Sequence, residues 1–221
     1  MGDSGASNER ARRKAATRAR LSAAALELFA SQGYDSTTVA QIAAAAHVSA
    51  RTFFVHFATK ADALFDFGPD DYHDLIRCVV EVQDAETDYD VLCRATIECL
   101  ERRGTATARH HQAKLLALST ASSPVLRGKH LDENDLFIEM CSRALAVRHG
   151  RPAPIPDDEI VAVIVGRLIH ATYAEWASSP STTDFRRLAF AKFDRARSAM
   201  AVPRKKDANP ANRRRIKVAA G

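Results

Sequence analysis

The sequence predicts an all-α protein, a small N-terminal helical domain followed by a larger helical one. Three observations carry this. Apolar residues recur at helical spacing through most of the chain, no alternating strand pattern of useful length survives, and Gly/Pro punctuation cuts the chain into helix-sized pieces. The 221 residues, 46% of them apolar and 27% charged, amount to about one and a half domains of ~150 residues. This composition suits a globular core and excludes a disordered or collagenous chain.

Leu21, Ala24, Ala25, Leu28 and Phe29 define a first helix from about Arg10, ended by Gly33, a residue that takes the left-handed conformation at no steric cost. Thr38-Val39-Ala40-Gln41 has the form of a capping box and starts a second helix at Val39 that runs to Ala46. His47 and Val48 form a tight connection. Ser49 caps a third helix, Ala50 to Phe57, with Phe53 and Phe57 one turn apart on its inner side. A fourth helix is expected after Thr59, its cap reinforced by Asp62, and Gly68-Pro69 marks the boundary between a domain at 10–67 and one at 68–202. Beyond it the pattern gives helices near 71–82, 88–103, 107–119, 124–149, 157–176 and 183–200. The breaks between them include Gly104, Gly150, the stretch 151–156 and Ser179-Pro180.

Charge is unevenly placed. Residues 1–20 hold six basic side chains against two acidic ones, net +4, and residues 203–221 hold seven against one, net +6. The intervening 21–202 carries 19 basic and 24 acidic side chains, net −5, although the whole chain is +5. A cationic arm on an acidic body is the distribution expected when the arm meets a polyanion. Residues 203–221 read as a basic flexible tail. The longest run free of charge, Ser36 to Ala50, is shorter than the ~18 apolar residues of a membrane span, so no membrane association is expected. The first twenty residues lack the apolar segment of a secretory signal. Cys78, Cys93, Cys99 and Cys141 have no CxxC spacing and lie in apolar helical stretches, as reduced thiols of a cytoplasmic protein do.

Two short helices joined by a tight turn, the first capped by Thr38 and carrying small Ala43 at the crossing, form a helix-turn-helix. Ile42, Ala46, Val48 and Phe53 must face inward. Ala50, Arg51, Thr52, Val55 and His56 then lie outward, on an edge suited to a DNA major groove. The run Leu26-Glu27-Leu28-Phe29-Ala30, Gly33 to Val39, Ile42-Ala43, Val48-Ser49, Arg51 to Phe54, His56-Phe57 and Thr59-Lys60 resembles the TetR family of transcriptional regulators over about residues 10–66. The resemblance implies a homodimer on a near-palindromic double-stranded operator. It assigns Thr38 to phosphate binding, Ser49, Arg51 and Thr52 to the reading helix, and Lys60 to a phosphate contact opening the fourth helix. Arg12 and Arg13 lie on the arm that meets adjacent DNA. Arg51 is the candidate base reader, because a guanidinium donates two bonds to guanine O6 and N7. Two residues depart from the family pattern: His47 stands where glycine is usual, and Phe54 where tyrosine is common, which leaves Phe54 van der Waals contact alone.

Other signatures are absent. There is no Glu-x-x-His, HExxH, GxGxxG, P-loop or GxSxG, so neither a metal, a cofactor nor catalysis is expected. The acidic residues Asp132, Glu133, Asp135 and Glu139 near His130 read as a solvated helix face. By helical phase, His111, Met140, Cys141, His170, Tyr173 and Trp176 are the candidates to line an effector site. The stretch from Leu115 to Trp176 resembles mycofactocin-regulator-like C-terminal domains, which implies a hydrophobic or acyl-CoA-like effector. The competing reading is a helical ligand carrier or enzyme with a purely structural N-terminal lobe.

Overall fold

The computed structural model describes residues 3–64, 69–83, 85 and 87–201. The basic tail at 203–221 lies outside them. Among the described residues there are α-helices and no strand: α1 Asp3–Gln32, α2 Val39–Ala45, α3 Ala50–His56, α4 Pro69–Glu81, α5 Asp88–Glu101, α6 Ala106–Ser122, α7 Pro124–Arg148, α8 Pro156–Ser178 and α9 Phe185–Ala201. Among the described residues the expected fourth helix after Thr59 is a 3₁₀ turn, Ala61–Leu64. Its cap forms as read, with Asp62 Oδ2 accepting from the Thr59 backbone at 2.8 Å and from its hydroxyl at 2.9 Å, and the longer helix α4 starts at Pro69, where a missing N–H costs nothing.

Two apolar clusters hold these helices. The first gathers Leu21, Ala25 and Phe29 of α1 with Ile42, Ala43, Phe53, Phe57 and Leu64, and it takes in Leu126 from α7. The second joins Leu75 and Val79 of α4 to Leu92, Ile97, Leu145, Val165, Trp176 and Phe193. Arg148, near the end of α7, donates through Nη1 to the carbonyls of Val79 at 2.6 Å and Val82 at 3.0 Å, satisfying the open end of α4. Helices α7 and α8 cross closely at Gly166, where a Cβ would stand 2.5 Å from Ile138 Cγ1.

By length and composition alone, α8 is apolar enough to cross a membrane, although Arg167 interrupts its uncharged run. It packs instead against α5, α6, α7 and α9, with Ala162, Val165, Ile169 and Trp176 inside. Its outer face keeps Ile160 and Val163 exposed.

Candidate nucleic-acid interface

The helix-turn-helix is built from its caps. Thr38 Oγ1 accepts from the Gln41 backbone at 3.2 Å while Gln41 Oε1 accepts from the Thr38 backbone at 2.8 Å, so two first-turn donors of α2 are satisfied reciprocally. Ser49 Oγ accepts from the Thr52 backbone at 3.1 Å and lies 2.9 Å from Thr52 Oγ1, which fixes the entry of α3. Between them His47 sits at φ +57°, in the left-handed region that favours glycine. Ile42, Ala43, Ala46 and Phe53 are buried and Val48 is half-buried, so the crossing depends on small Ala43.

The face opposite this core is open. Ala50, Arg51, Phe54 and Val55 are exposed and Thr52 is half-buried. Phe54 and Val55 keep 58% and 66% of their surface, two adjacent apolar side chains open together on a seven-residue helix. His56 ends α3 half-buried. Burial, then the positive charges of Lys14 and Arg18, hold its imidazole below the ordinary histidine range, which favours the neutral ring. On the arm, Arg12 and Arg13 are exposed, with Arg13 Nε donating to Glu9 at 2.9 Å.

Two cations of this region act inside the protein. Arg18 donates through Nη1 to the His56 carbonyl at 2.8 Å and lies over the Phe57 ring at 4.2 Å, tying α1 to the end of α3. Sequence reading counted Arg18 only as charge. Lys60 was expected to open a helix as a phosphate contact. Its Nζ instead donates to the carbonyls of Tyr34 at 2.6 Å and Thr37 at 2.8 Å and lies 4.1 Å from the Tyr34 ring centre. The ammonium thereby clamps the loop that delivers Thr38.

Residues 21–66 match the family model described as bacterial regulatory proteins, tetR family. The likeness to the TetR family is thus carried by the N-terminal domain. A 53-residue stretch is 55% identical to the HTH-type transcriptional regulator TcmR of Streptomyces glaucescens, and that stretch spans 24% of each protein. Over most of its length the chain is similar in fold to FadR of Thermus thermophilus, a TetR-family repressor solved with lauroyl-CoA. That likeness covers 87% of this chain and 99% of that one, at 20% identity and a TM-score of 0.50. A transcriptional regulator from Rhodococcus sp. Rha1 gives 20% identity and a TM-score of 0.46 over 82% of this chain and 96% of that one.

The residues expected to meet an effector divide. Cys141 and Trp176 are fully inside, Met140 and Tyr173 are half-buried, and Met140 lines a cavity of about 10 Å³ with Leu75, Thr96, Cys99, Leu100, Arg103 and Phe137. His170 stacks on His130 with ring centres 4.7 Å apart. His111 does not face the second cluster: it is exposed and bonds Glu27 of α1 at 2.6 Å. Its neighbours Arg109 and His110 are the buried pair, and His110 Nε2 lies 3.1 Å from the carbonyls of both Trp176 and Ser179.

Proposed function

We propose that this TetR-type chain is a sequence-specific, DNA-binding transcriptional repressor, cytoplasmic and without catalytic activity. It works as a homodimer on a near-palindromic operator and leaves DNA when a small molecule occupies residues 68–202, the second of two domains divided near Gly68-Pro69. The observation that carries this reading is the outward face of α3: Arg51, Phe54 and Val55 exposed together on a helix whose entry angle is fixed by two caps and a buried alanine crossing. Arg51 reads guanine, Phe54 and Val55 meet thymine methyls, and Thr38, Ser49, Thr52, His56, Lys60, Arg12 and Arg13 border the same surface.

Pairing through α8 and α9 covers Ile160 and Val163 and sets the two α3 helices about 34–36 Å apart, one DNA turn. Ile169, on the same helix, serves the chain's own core. Coupling between the domains has a physical route: Leu126 of α7 lies in the N-terminal cluster, Lys129 pairs with Asp62 at 3.0 Å, and His111 pairs with Glu27. A ligand that favours one arrangement of these contacts by about 1.4 kcal/mol weakens DNA binding tenfold. Gel shift against DNA flanking the chain's own gene tests the reading. A specific, salt-sensitive band is expected, and a protein that binds no DNA above the level of a random duplex is not this regulator.

A further inference from the structure

The N-terminus of α6 carries Arg109 into the interior, 8% exposed. Its Nε and Nη1 have no hydrogen-bond partner among the described residues. Aromatic rings stand beside it: its guanidinium carbon lies 5.9 Å from the centre of the Trp176 ring, and the Tyr173 ring centre lies 6.0 Å from that of Trp176. An arginine keeps its proton at any physiological pH, and a charge taken out of water without a counter-charge is among the costliest features a core can hold. A protein stabilised only by its core would fill this place with a leucine or methionine. The surroundings extend the feature. Burial pushes the Tyr173 hydroxyl up, Arg109 and then Arg103 pull it down, and Cys99 is near enough to add to the rise. Arg103 and Cys99 also line the small cavity beside Phe137 and Met140. Arg109 and Arg103 thus both act on the Tyr173 hydroxyl, and Arg103 carries that positive charge to a cavity lined mostly by apolar side chains.

We infer that Arg109, with Arg103 and Tyr173, forms the head of the effector site and takes the anionic group of a small amphipathic organic acid. The apolar body of the ligand lies against Met140 and Phe137, and the flexible thioether side chain of Met140 is the part best able to yield to it. The inference rests on the reading that residues 68–202 bind an effector and narrows the ligand class. An acyl-CoA presents a neutral thioester at its acyl head and keeps its charges on the distant nucleotide, so it leaves Arg109 uncompensated. A free acid compensates it through charge-assisted hydrogen bonds.

Trp176 is the chain's single tryptophan, so energy transfer from it reports on this site. The probe is 1-anilinonaphthalene-8-sulfonate, compared on the full chain with its uncharged parent N-phenyl-1-naphthylamine. The sulfonate is expected to accept transfer from Trp176 at one site per chain and to bind at least tenfold more tightly than the parent. Octanoate is expected to compete, whereas octanoyl-CoA and inorganic phosphate at the same concentration are not. Arg109→Met should weaken the sulfonate at least tenfold and leave the uncharged parent within twofold. Tyr173→Phe, which keeps the ring, should weaken the sulfonate a few-fold and serves if Arg109→Met does not fold. Equal affinity for both probes, unchanged sulfonate binding in either variant, or displacement by phosphate or octanoyl-CoA at octanoate's concentration overturns the inference. Operator binding by gel shift is read separately. Its loss with anion binding intact breaks the regulator reading alone, and the reverse breaks this site alone.

Discussion

Replacing Lys60 with methionine separates two roles that the sequence cannot tell apart. The ammonium donates to the Tyr34 and Thr37 carbonyls at 2.6 and 2.8 Å and lies over the Tyr34 ring. Hydrogen bonds to a charged donor are worth ~1.5–3 kcal/mol each. Lys60 is half-buried, so water replaces part of what Lys60→Met removes, and the net loss is about 1.5–3 kcal/mol. For a chain of this size that is a fall of roughly 3–12 °C in melting temperature. Operator affinity should drop as well, because the loop that holds Thr38 loosens. Each phosphate contact contributes ~0.9 to the slope of log K against log salt. A clamp contributes nothing to that slope. Thermal melting and a salt series on the same variant decide the matter: a lower melting point with an unchanged slope is expected. An unchanged melting point with a slope reduced by about 0.9 per lysine refutes the clamp and restores Lys60 as a phosphate contact.

Gly166→Ala places a methyl 2.5 Å from Ile138 Cγ1 and should cost about 1–3 kcal/mol of stability, with most of the loss recovered on adding Ile138→Ala; independent losses in the double variant contradict the close crossing. His47→Gly relieves a left-handed histidine worth ~1–2 kcal/mol but frees the unfolded chain by ~0.4–1 kcal/mol, so calorimetry should find the melting point unchanged or modestly raised, and a drop of several degrees reveals a contact of the imidazole. His130 is held down to about 4 by burial and then by the facing His170. Between about pH 4 and 6.5 the unfolded chain therefore binds more protons than the folded one, and stability falls as pH drops through that window. His130→Phe, which keeps a ring against His170, should flatten the melting profile between these values; an identical pH dependence removes His130 as its source.

The elements readable from sequence were those fixed by neighbours a few residues apart. The Thr38–Gln41 box, the Ser49 cap, the Thr59–Asp62 cap and the breaks at Gly33, Gly104 and Gly150 depend on local chemistry and stand where that chemistry puts them. The exposed face of α3 follows from these caps and from Phe53 pointing inward. Lys60 was illegible because its partners lie 23 and 26 residues away and are backbone carbonyls, which carry no sequence signal. The same holds for Arg18 on the His56 carbonyl. The inward residues of α6 were misphased for a different reason. Its buried side includes Arg109, His110, Ala113 and Ser119, so no apolar stripe marks it. Adjacent His110 and His111 point about 100° apart, and nothing local says which faces the core.

The central claim is that α3 reads base sequence while the arm supplies charge. Measuring the affinity of wild type, Arg51→Ala and the double variant Arg12→Ala/Arg13→Ala for the operator and for a scrambled duplex, each across a salt series, tests it most directly. Arg51→Ala should lose about 1–3 kcal/mol on the operator and almost nothing on the scrambled duplex, whereas the arm variant should lose affinity for both and show a flatter salt slope. An Arg51→Ala protein that weakens equally on every DNA contradicts the account.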